Sequence, residues 1–301
     1  MSDKARAMVL GSFIGDSLAL GAHWIHSTER IVREYGRIES FVQPTRNSYH
    51  KNKKAGEFTH YGDQTFVLLK SLAECGRFDL DDFSARWQDL FSEYNGYMDK
   101  ATRSTFKNLV LGKSPLESGS QSDDLSGASR IAPLVYALRH DPEGLVNACR
   151  LQASMTHGSA FTIEAGEFFA RVCLKVLAGA SPVSSMNEVV QERFRNTRIS
   201  DWVNEGIASR DQESVEAIVG FGQGSPTTEA FPSTVHLIAR YEHDLREALI
   251  QSVMAGGDSA ARGMIAGMVL GAHLGMNGIP EDWVSGLAAG KDILAFLTKI
   301  G

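Results

Sequence analysis

Aspartate and histidine residues in short turns are the features of this 301-residue sequence that could carry chemistry. They fall in five places, at residues 15–24, 60–65, 122–127, 156–158 and 256–261. Carboxylates gathered at several helix starts would repel one another unless a cation lay between them. Oxygen ligands select Mg²⁺ or Mn²⁺ among the divalent cations. The pattern is therefore compatible with a metal site assembled from separate parts of the chain.

Each turn also has a structural interpretation, which is favoured when the turns are taken singly. Four aspartates immediately precede apolar helical runs: Asp63, Asp123, Asp124 and Asp258. An aspartate in that position commonly caps its helix by accepting a hydrogen bond from a free backbone amide. His157 could lie at a helix C-terminus, where the helix dipole favours a cation.

Composition and missing motifs exclude several other functions. The chain has no Gly-x-x-x-x-Gly-Lys phosphate loop, no Gly-x-Ser-x-Gly elbow and no His-Glu-x-x-His motif. A formal net charge of −6 without a basic patch argues against nucleic-acid binding. Three cysteines with no Cys-x-x-Cys pair are typical of a reduced, cytoplasmic protein. The apolar segments 7–20 and 264–276 are interrupted or short, so we expect no signal peptide and no membrane span; oligomeric state is left open.

The elements that must position these turns are helices. An apolar face with helical spacing runs through residues 83–94, with Asp79 or Asp81 as its cap, and Gly76 should end a helix over residues 63–75. Further helices are predicted over residues 128–139 and 280–297, among others. Alternation of period two is absent, so we predict an all-α, compact many-helix fold with essentially no sheet, in one domain over residues 1–301.

Two of these helices carry a stripe of small residues at every fourth position. The first stripe is Ala7, Gly11, Gly15 and Ala19, and the second is Gly263, Gly267, Gly271 and Gly275. Each glycine costs a helix about 1 kcal/mol relative to alanine. A repeated stripe therefore predicts that two helix backbones approach closely.

The turns follow one another in the same order as the sequence motifs of a known protein family. Residues 15–19 read Gly-Asp-Ser-Leu-Ala, residues 62–65 Gly-Asp-Gln-Thr, residues 130–133 Arg-Ile-Ala-Pro, residues 156–157 Thr-His and residues 256–261 Gly-Gly-Asp-Ser-Ala-Ala. This series resembles the Gly-Asp-x-Leu-Gly, Thr-Asp-Asp-Thr, Met-Arg-Ile-Ala-Pro, Thr-His and Gly-Gly-Asp-Thr-Asp-Thr motifs of the ADP-ribosylglycohydrolase family, which includes the dinitrogen-reductase-activating glycohydrolases. The resemblance spans nearly the whole chain.

The resemblance implies an all-α fold around a site that holds two Mg²⁺ or Mn²⁺ ions. Enzymes of this family cleave the N- or O-glycosidic bond that joins ADP-ribose to a protein side chain or a small molecule. Their metals bind the ribose hydroxyls and orient the attacking water. The expected partner is thus a small-molecule or ADP-ribosylated substrate.

The chain departs from the family pattern at the metal motifs. Two of the usual four carboxylates are replaced, by Gln64 and Ala260, and two threonine positions are Gly62 and Ala261. Loss of charge weakens a site for hard cations. We therefore expect one Mg²⁺ or Mn²⁺ ion, or none, with Asp63, Asp258 and Ser259 as the metal ligands.

These considerations give a set of site predictions. The predicted catalytic residues are Asp63, Asp258 and His23, with histidine suited to acid–base work near neutral pH. The predicted substrate-binding residues are Asp16, His60, Asp123, Asp124, Ser126 and His157. We predict a hydrolase that cleaves a glycosidic bond of an ADP-ribosyl or related nucleotide substrate. The alternatives are an inactive homologue that binds an ADP-ribose-like ligand and a purely structural protein.

Overall fold

Helices account for the regular structure of residues 3–301, which are the residues that the computed structural model describes. Within them no strand is present, and β-type pairing is limited to isolated bridges of Ser120 with His157 and of Asp124 with Pro226. The predicted all-α class is confirmed. The helices are α1 (Asp3–Ala19), α2 (Thr28–Tyr35), α3 (His60–Cys75), α4 (Leu80–Ser92), α5 (Lys100–Val110), α6 (Ser126–Ser129), α7 (Ala132–Leu138), α8 (Pro142–Ser154), α9 (Ala160–Leu177), α10 (Pro182–Val189), α11 (Arg198–Ala208), α12 (Ser214–Phe221), α13 (Thr227–Arg240), α14 (Leu245–Met254), α15 (Ser259–Leu274), α16 (Glu281–Gly286) and α17 (Gly290–Ile300).

The two glycine-striped helices, α1 and α15, lie backbone against backbone, as the sequence predicts. A Cβ atom added to Gly11 would lie 2.2 Å from the carbonyl oxygen of Gly267, and one added to Gly15 would lie 2.2 Å from that of Gly263. The residue numbers of the contacting pairs run in opposite directions, so the helices are antiparallel. The C-terminal end of α1 therefore lies beside the N-terminal end of α15, which brings two of the aspartate turns together.

The ends of α3 and α4 follow from local capping. Thr59 caps α3 through its side chain, so Asp63 lies in the first turn and the capping interpretation of Asp63 is wrong. Gly76 ends α3 in the left-handed conformation, with φ of 70°, as predicted. Asp79 caps α4 by accepting from the amide of Asp82 at 3.1 Å.

Two predicted helices are each split into two. The helix predicted over residues 128–139 breaks between α6 and α7, where Pro133 has no amide hydrogen to continue the hydrogen-bond ladder. The helix predicted over residues 280–297 breaks between α16 and α17. There the amide of Ala288 donates to the carbonyl oxygen of Gly56 at 2.9 Å instead of to its own helix. In both cases a local constraint overrides helical periodicity.

The core draws apolar side chains from α1 through α17. That the chain forms one domain stays a prediction. None of the helices in residues 3–301 combines the length and apolar character needed to cross a membrane.

The contact between α1 and α15 gives a test with a matched control. The substitution Gly267→Ala should lower the free energy of unfolding by about 2 to 3 kcal/mol, because the new methyl group overlaps the backbone of α1. Gly220, in α12, has open space around its Cβ position, so Gly220→Ala should have no effect or add up to about 1 kcal/mol. Urea unfolding measures both; equal effects would contradict the close approach.

Candidate functional site

An open cleft with a volume of about 840 Å³ lies beside the junction of α1 and α15. Its lining includes three aromatic and three acidic side chains, those of Trp24, Tyr49, Tyr97, Asp99, Asp123 and Asp124. The rings of Trp24, Tyr49 and Tyr97 have centroids 4.8–5.4 Å apart, and we call them the aromatic wall. Such ring faces suit stacking against a flat, polar ligand.

The turn after α1 divides two neighbouring side chains between the interior and the cleft. His23 is 2% exposed, whereas Trp24 lines the cleft. Trp24 has a φ of 67°, which is strained for a bulky residue, and its amide is held by the carbonyl oxygen of Gly257 at 2.8 Å. The junction with α15 thus fixes a backbone conformation that the residue alone would avoid.

The loop before α6 places two carboxylates in the cleft. The Asp124 carboxylate accepts from the hydroxyl of Ser225 at 2.6 Å. The amide of Thr227 donates to the carbonyl oxygen of Asp123 at 2.8 Å, which ties this loop to the start of α13. Burial raises the pKa of Asp124, while Asp123 is exposed. Neither aspartate caps α6 through its side chain, so the capping interpretation is wrong for both.

Asp99 joins the cleft to the residues behind it. It caps α5 by accepting from the amide of Thr102 at 2.6 Å, and its second oxygen lies 3.2 Å from Nε2 of His60. Burial alone would raise the pKa of Asp99, but the contacts with His60 and Thr102 hold it below its usual value. Asp99 therefore stays ionised.

Three histidines lie together behind the aromatic wall. His23, His50 and His60 are each at most 2% exposed, and each has a ring nitrogen within 4.8 Å of the others'. Burial lowers the pKa of His23 and of His50 well below 6.5. Both imidazoles are therefore neutral near pH 7, which does not suit the acid–base role predicted for His23.

Asp63 is engaged by side chains of its own protein. Its Oδ2 atom lies 2.5 Å from Nζ of Lys53 and also accepts from the hydroxyl of Tyr94. The Asp63 and Lys53 side chains are each 17% exposed. Burial raises the pKa of Asp63, and the Lys53 ammonium opposes that rise.

Gln64 is a buried amide whose oxygen and nitrogen both have protein partners. Its oxygen accepts from Nε1 of Trp87 at 2.8 Å and from the guanidinium of Arg130, while its nitrogen donates to the carbonyl oxygen of His60 at 2.9 Å. Both the amide oxygen and the amide nitrogen therefore serve protein partners. A carboxylate here would lose the donor that holds the start of α3.

Asp258 is fully buried at the start of α15. One oxygen caps the helix by accepting from the amide of Ala261 at 3.3 Å and lies 3.8 Å from Nδ1 of His23; the other has no hydrogen-bond partner, and neither has the hydroxyl of Ser259. Burial raises the pKa of Asp258 to about 7. Because His23 is neutral, the pair is not an ion pair despite the short distance.

Asp16 connects α1 to the start of α3. It accepts from the Thr59 hydroxyl at 2.5 Å, from the Thr59 amide at 2.8 Å and from the Gly62 amide at 3.2 Å. A Cβ atom on residue 62 would lie 2.3 Å from the Asp16 carboxylate, which explains why glycine stands there. Burial raises the pKa of Asp16 to about 6. Substrate binding by this residue stays a prediction, and its enclosure does not favour it.

His157 and Ser126 are buried beneath the loop before α6. Nδ1 of His157 lies 2.8 Å from the hydroxyl of Thr156, and Nε2 lies 3.3 Å from the hydroxyl of Ser126. Burial lowers the pKa of His157 to about 3. The interpretation of His157 as a cation at a helix terminus is therefore wrong, because the imidazole is neutral.

Of the residues predicted to hold a magnesium or manganese ion, Asp63 is already engaged, whereas Asp258 and Ser259 each keep one oxygen without a partner. Such an ion takes about six oxygen ligands, several from water and one or two from carboxylates. Asp63 already holds an ammonium group, the oxygen of Gln64 accepts from Arg130, and Ala260 has no ligand atom. Within residues 3–301, the side chains close enough to share a metal ion are three histidines, not a set of carboxylates.

Sequence reasoning missed His50, Lys53 and Asp99. His50 and Lys53 lie in the polar loop between α2 and α3, whose composition is typical of a binding loop but does not say which side chains turn inward. Asp99 precedes α5 and has the sequence of an ordinary helix cap. Its contact with His60 joins residues 39 positions apart, which local patterns do not reveal.

The chain is similar to a protein family, to individual proteins of that kind and to a solved structure. A family model described as ADP-ribosylglycohydrolase matches residues 1–300. Crystallin J1B of Tripedalia cystophora is 23% identical over 100% of this chain and 97% of its own length. The ADP-ribosyl-[dinitrogen reductase] glycohydrolase of Rhodospirillum rubrum is 22% identical over 95% of this chain and 90% of its own. A solved structure titled ADP-ribosylglycohydrolase-related protein complex has a TM-score of 0.77 at 22% identity, covering 99% of this chain and 96% of that one.

The raised pKa of Asp258 predicts a pH dependence of stability. The folded protein holds this proton up to about pH 7, whereas the unfolded chain releases it near pH 3.8, so the group stabilises the fold at low pH and the effect is lost as the pH rises to 7. Asparagine keeps the helix cap but does not titrate. Asp258→Asn should therefore gain stability relative to the wild type, by roughly 4 kcal/mol between pH 4 and pH 8.

Urea unfolding of metal-free protein across this range measures the difference between the two proteins. Taking that difference cancels the contributions of titrating groups that do not contact Asp258. A difference that is constant with pH would contradict the raised pKa.

Proposed function

The chain belongs to the ADP-ribosylglycohydrolase family, and from that premise we propose that it is a hydrolase of a glycosidic bond in an ADP-ribosyl or related nucleotide substrate. The reaction would take place in the cleft beside the aromatic wall. The observation that carries the proposal is a pair of carboxylates in this cleft, Asp99 and Asp124, whose pKa values move in opposite directions.

Hydrolysis of a glycosidic bond is commonly catalysed by two carboxyl groups in different protonation states. One protonates the departing group, and the other stays ionised to direct water or to stabilise positive charge on the sugar. Asp124, with its raised pKa, suits the acid. Asp99 is kept ionised by His60 and suits the second role.

Groups around the two carboxylates suit the remainder of such a substrate. The aromatic wall offers ring faces on which an adenine base or a ribose can stack. Lys100 lines the same cleft in the first turn of α5, and its cationic side chain favours a pyrophosphate. His23, Asp63 and Asp258, which are not part of the cleft lining, act as positioning residues in this proposal.

A specific observation also favours a second candidate, a homologue that binds the ligand without cleaving it. Gln64 replaces a carboxylate of the family motif and is well matched to Arg130 and Trp87. The relatives named crystallin are compatible with a role that does not require turnover. In this candidate the cleft is kept and the chemistry is lost.

The proposed roles predict the effect of two substitutions on turnover. Release of free ADP-ribose from N-linked and O-linked ADP-ribosyl conjugates is measured by chromatography. Asp124→Asn and Asp99→Asn should each lower the rate by about 10² to 10⁴, because each removes one partner of the acid–base pair. Asp211→Asn, at a carboxylate that is 94% exposed and outside the cleft, should leave the rate unchanged.

The same assay separates the two candidates. Binding of ADP-ribose to the wild type without release from any conjugate would favour the binding homologue. Equal rates in Asp124→Asn and the wild type would refute the role of Asp124 as the acid.

A further inference from the structure

The histidine cluster has polar atoms that its surroundings leave unsatisfied. The two ring nitrogens of His23 and the two of His50 make no hydrogen bond, although both side chains are almost completely buried. The rings of His23 and His50 have centroids 5.4 Å apart, and those of His50 and His60 are 5.6 Å apart. Imidazole nitrogens from three separate parts of the chain lie within 4.8 Å of one another.

Such an arrangement is costly unless something binds there. A buried polar atom without a partner costs about 1 to 3 kcal/mol, and unsatisfied groups in proteins are few. Several unsatisfied nitrogen atoms close together indicate a ligand that accepts electron pairs from all of them. A metal ion has that property.

We infer that His23, His50 and His60 together bind one first-row transition-metal ion such as Zn²⁺. Imidazole nitrogen suits zinc, nickel, copper and iron, whereas magnesium and manganese prefer oxygen. A tetrahedral ion with bonds of about 2.1 Å places two ligand nitrogens about 3.4 Å apart. The observed nitrogens lie within 4.8 Å of one another, so they must approach by up to about 1.4 Å (4.8 minus 3.4 Å) to share one ion.

The surroundings of the cluster compensate the charge of a divalent ion. Asp99 lies 3.2 Å from His60, and a carboxylate that bonds to a ligating histidine commonly orients it. Asp258 has one oxygen that lies 3.8 Å from Nδ1 of His23 and a second oxygen without a hydrogen-bond partner. Two carboxylates balance the two positive charges of the ion.

The site lies one ring layer behind the cleft. The ring of Trp24 is 4.4 Å from that of His23 and 5.5 Å from that of His60, measured between centroids. This ion would therefore set the position of the aromatic wall whether or not the protein is a hydrolase. The inference goes beyond the proposed function and does not rest on it.

Cobalt serves as the probe, because Co²⁺ replaces zinc and has visible absorption bands that report nitrogen ligands and geometry. Full-length protein is stripped with a chelator, dialysed and titrated with Co²⁺ in the absence of substrate. We expect one Co²⁺ per chain with tetrahedral-type bands, which Zn²⁺ displaces and an excess of Mg²⁺ does not. His50→Gln and His23→Gln should each raise the dissociation constant for Co²⁺ at least tenfold.

A buried histidine elsewhere provides the control. His236 is hydrogen-bonded to Ser209 and Ser214, and His236→Gln should leave Co²⁺ binding unchanged.

If a cluster variant fails to fold, the melting temperature of the wild type tests the site instead. Zn²⁺ should raise this temperature and Mg²⁺ should not. Absence of the bands, binding that survives in His50→Gln, or displacement by Mg²⁺ would overturn the site. All readouts are of metal binding, so a failure of hydrolysis cannot be mistaken for a failure of this inference.

Discussion

The backbone contact between α1 and α15 is the constraint on which the site depends. Two antiparallel helices can approach this closely only where glycines leave no Cβ atom, at Gly11 and Gly267 and at their neighbours one turn away. The approach fixes the end of α1 against the start of α15, so the turn that contains His23 and Trp24 is bonded to Gly257. His23 of this turn belongs to the histidine cluster, and Trp24 of the same turn belongs to the wall of the cleft. A methyl group at Gly11 or Gly267 would separate these parts.

The buried side chains of Asp63 and Gln64 are balanced by charged groups of the protein itself. Asp63 is neutralised by Lys53 and bonded to Tyr94, and the amide of Gln64 suits a buried guanidinium. Loss of carboxylates from a hard-cation site would leave the remaining ones without a counter-charge, which is expensive in a protein interior. The lysine supplies that charge from within the chain. Asp63 and Gln64 are therefore satisfied by groups of the protein itself.

Sequence patterns predicted the parts of the fold that depend on local chemistry. Helical periodicity, the caps at Asp79 and Gly76 and the glycine stripes all act within a few residues or along one helix face, so they can be read from the chain. The breaks after Ser129 and Gly286 were missed because a proline amide and a contact with Gly56 override periodicity. The inward turn of His50 and Lys53 could not be predicted, because a polar loop specifies its contacts only through distant partners. The protonation of His157 was misjudged for the same reason, since burial is a property of the fold.

The central claim is that the cleft takes an ADP-ribosyl ligand while the site for magnesium has been replaced by the protein's own groups. Thermal melting of chelator-stripped protein, with ADP-ribose and with or without Mg²⁺, tests this most directly. A ligand at one hundred times its dissociation constant stabilises by about 2.7 kcal/mol, which melting resolves. The account predicts that ADP-ribose raises the melting temperature equally in both conditions and that Mg²⁺ alone does nothing. A shift that appears only when Mg²⁺ and ADP-ribose are present together would contradict it, because the carboxylates would then be binding the ion.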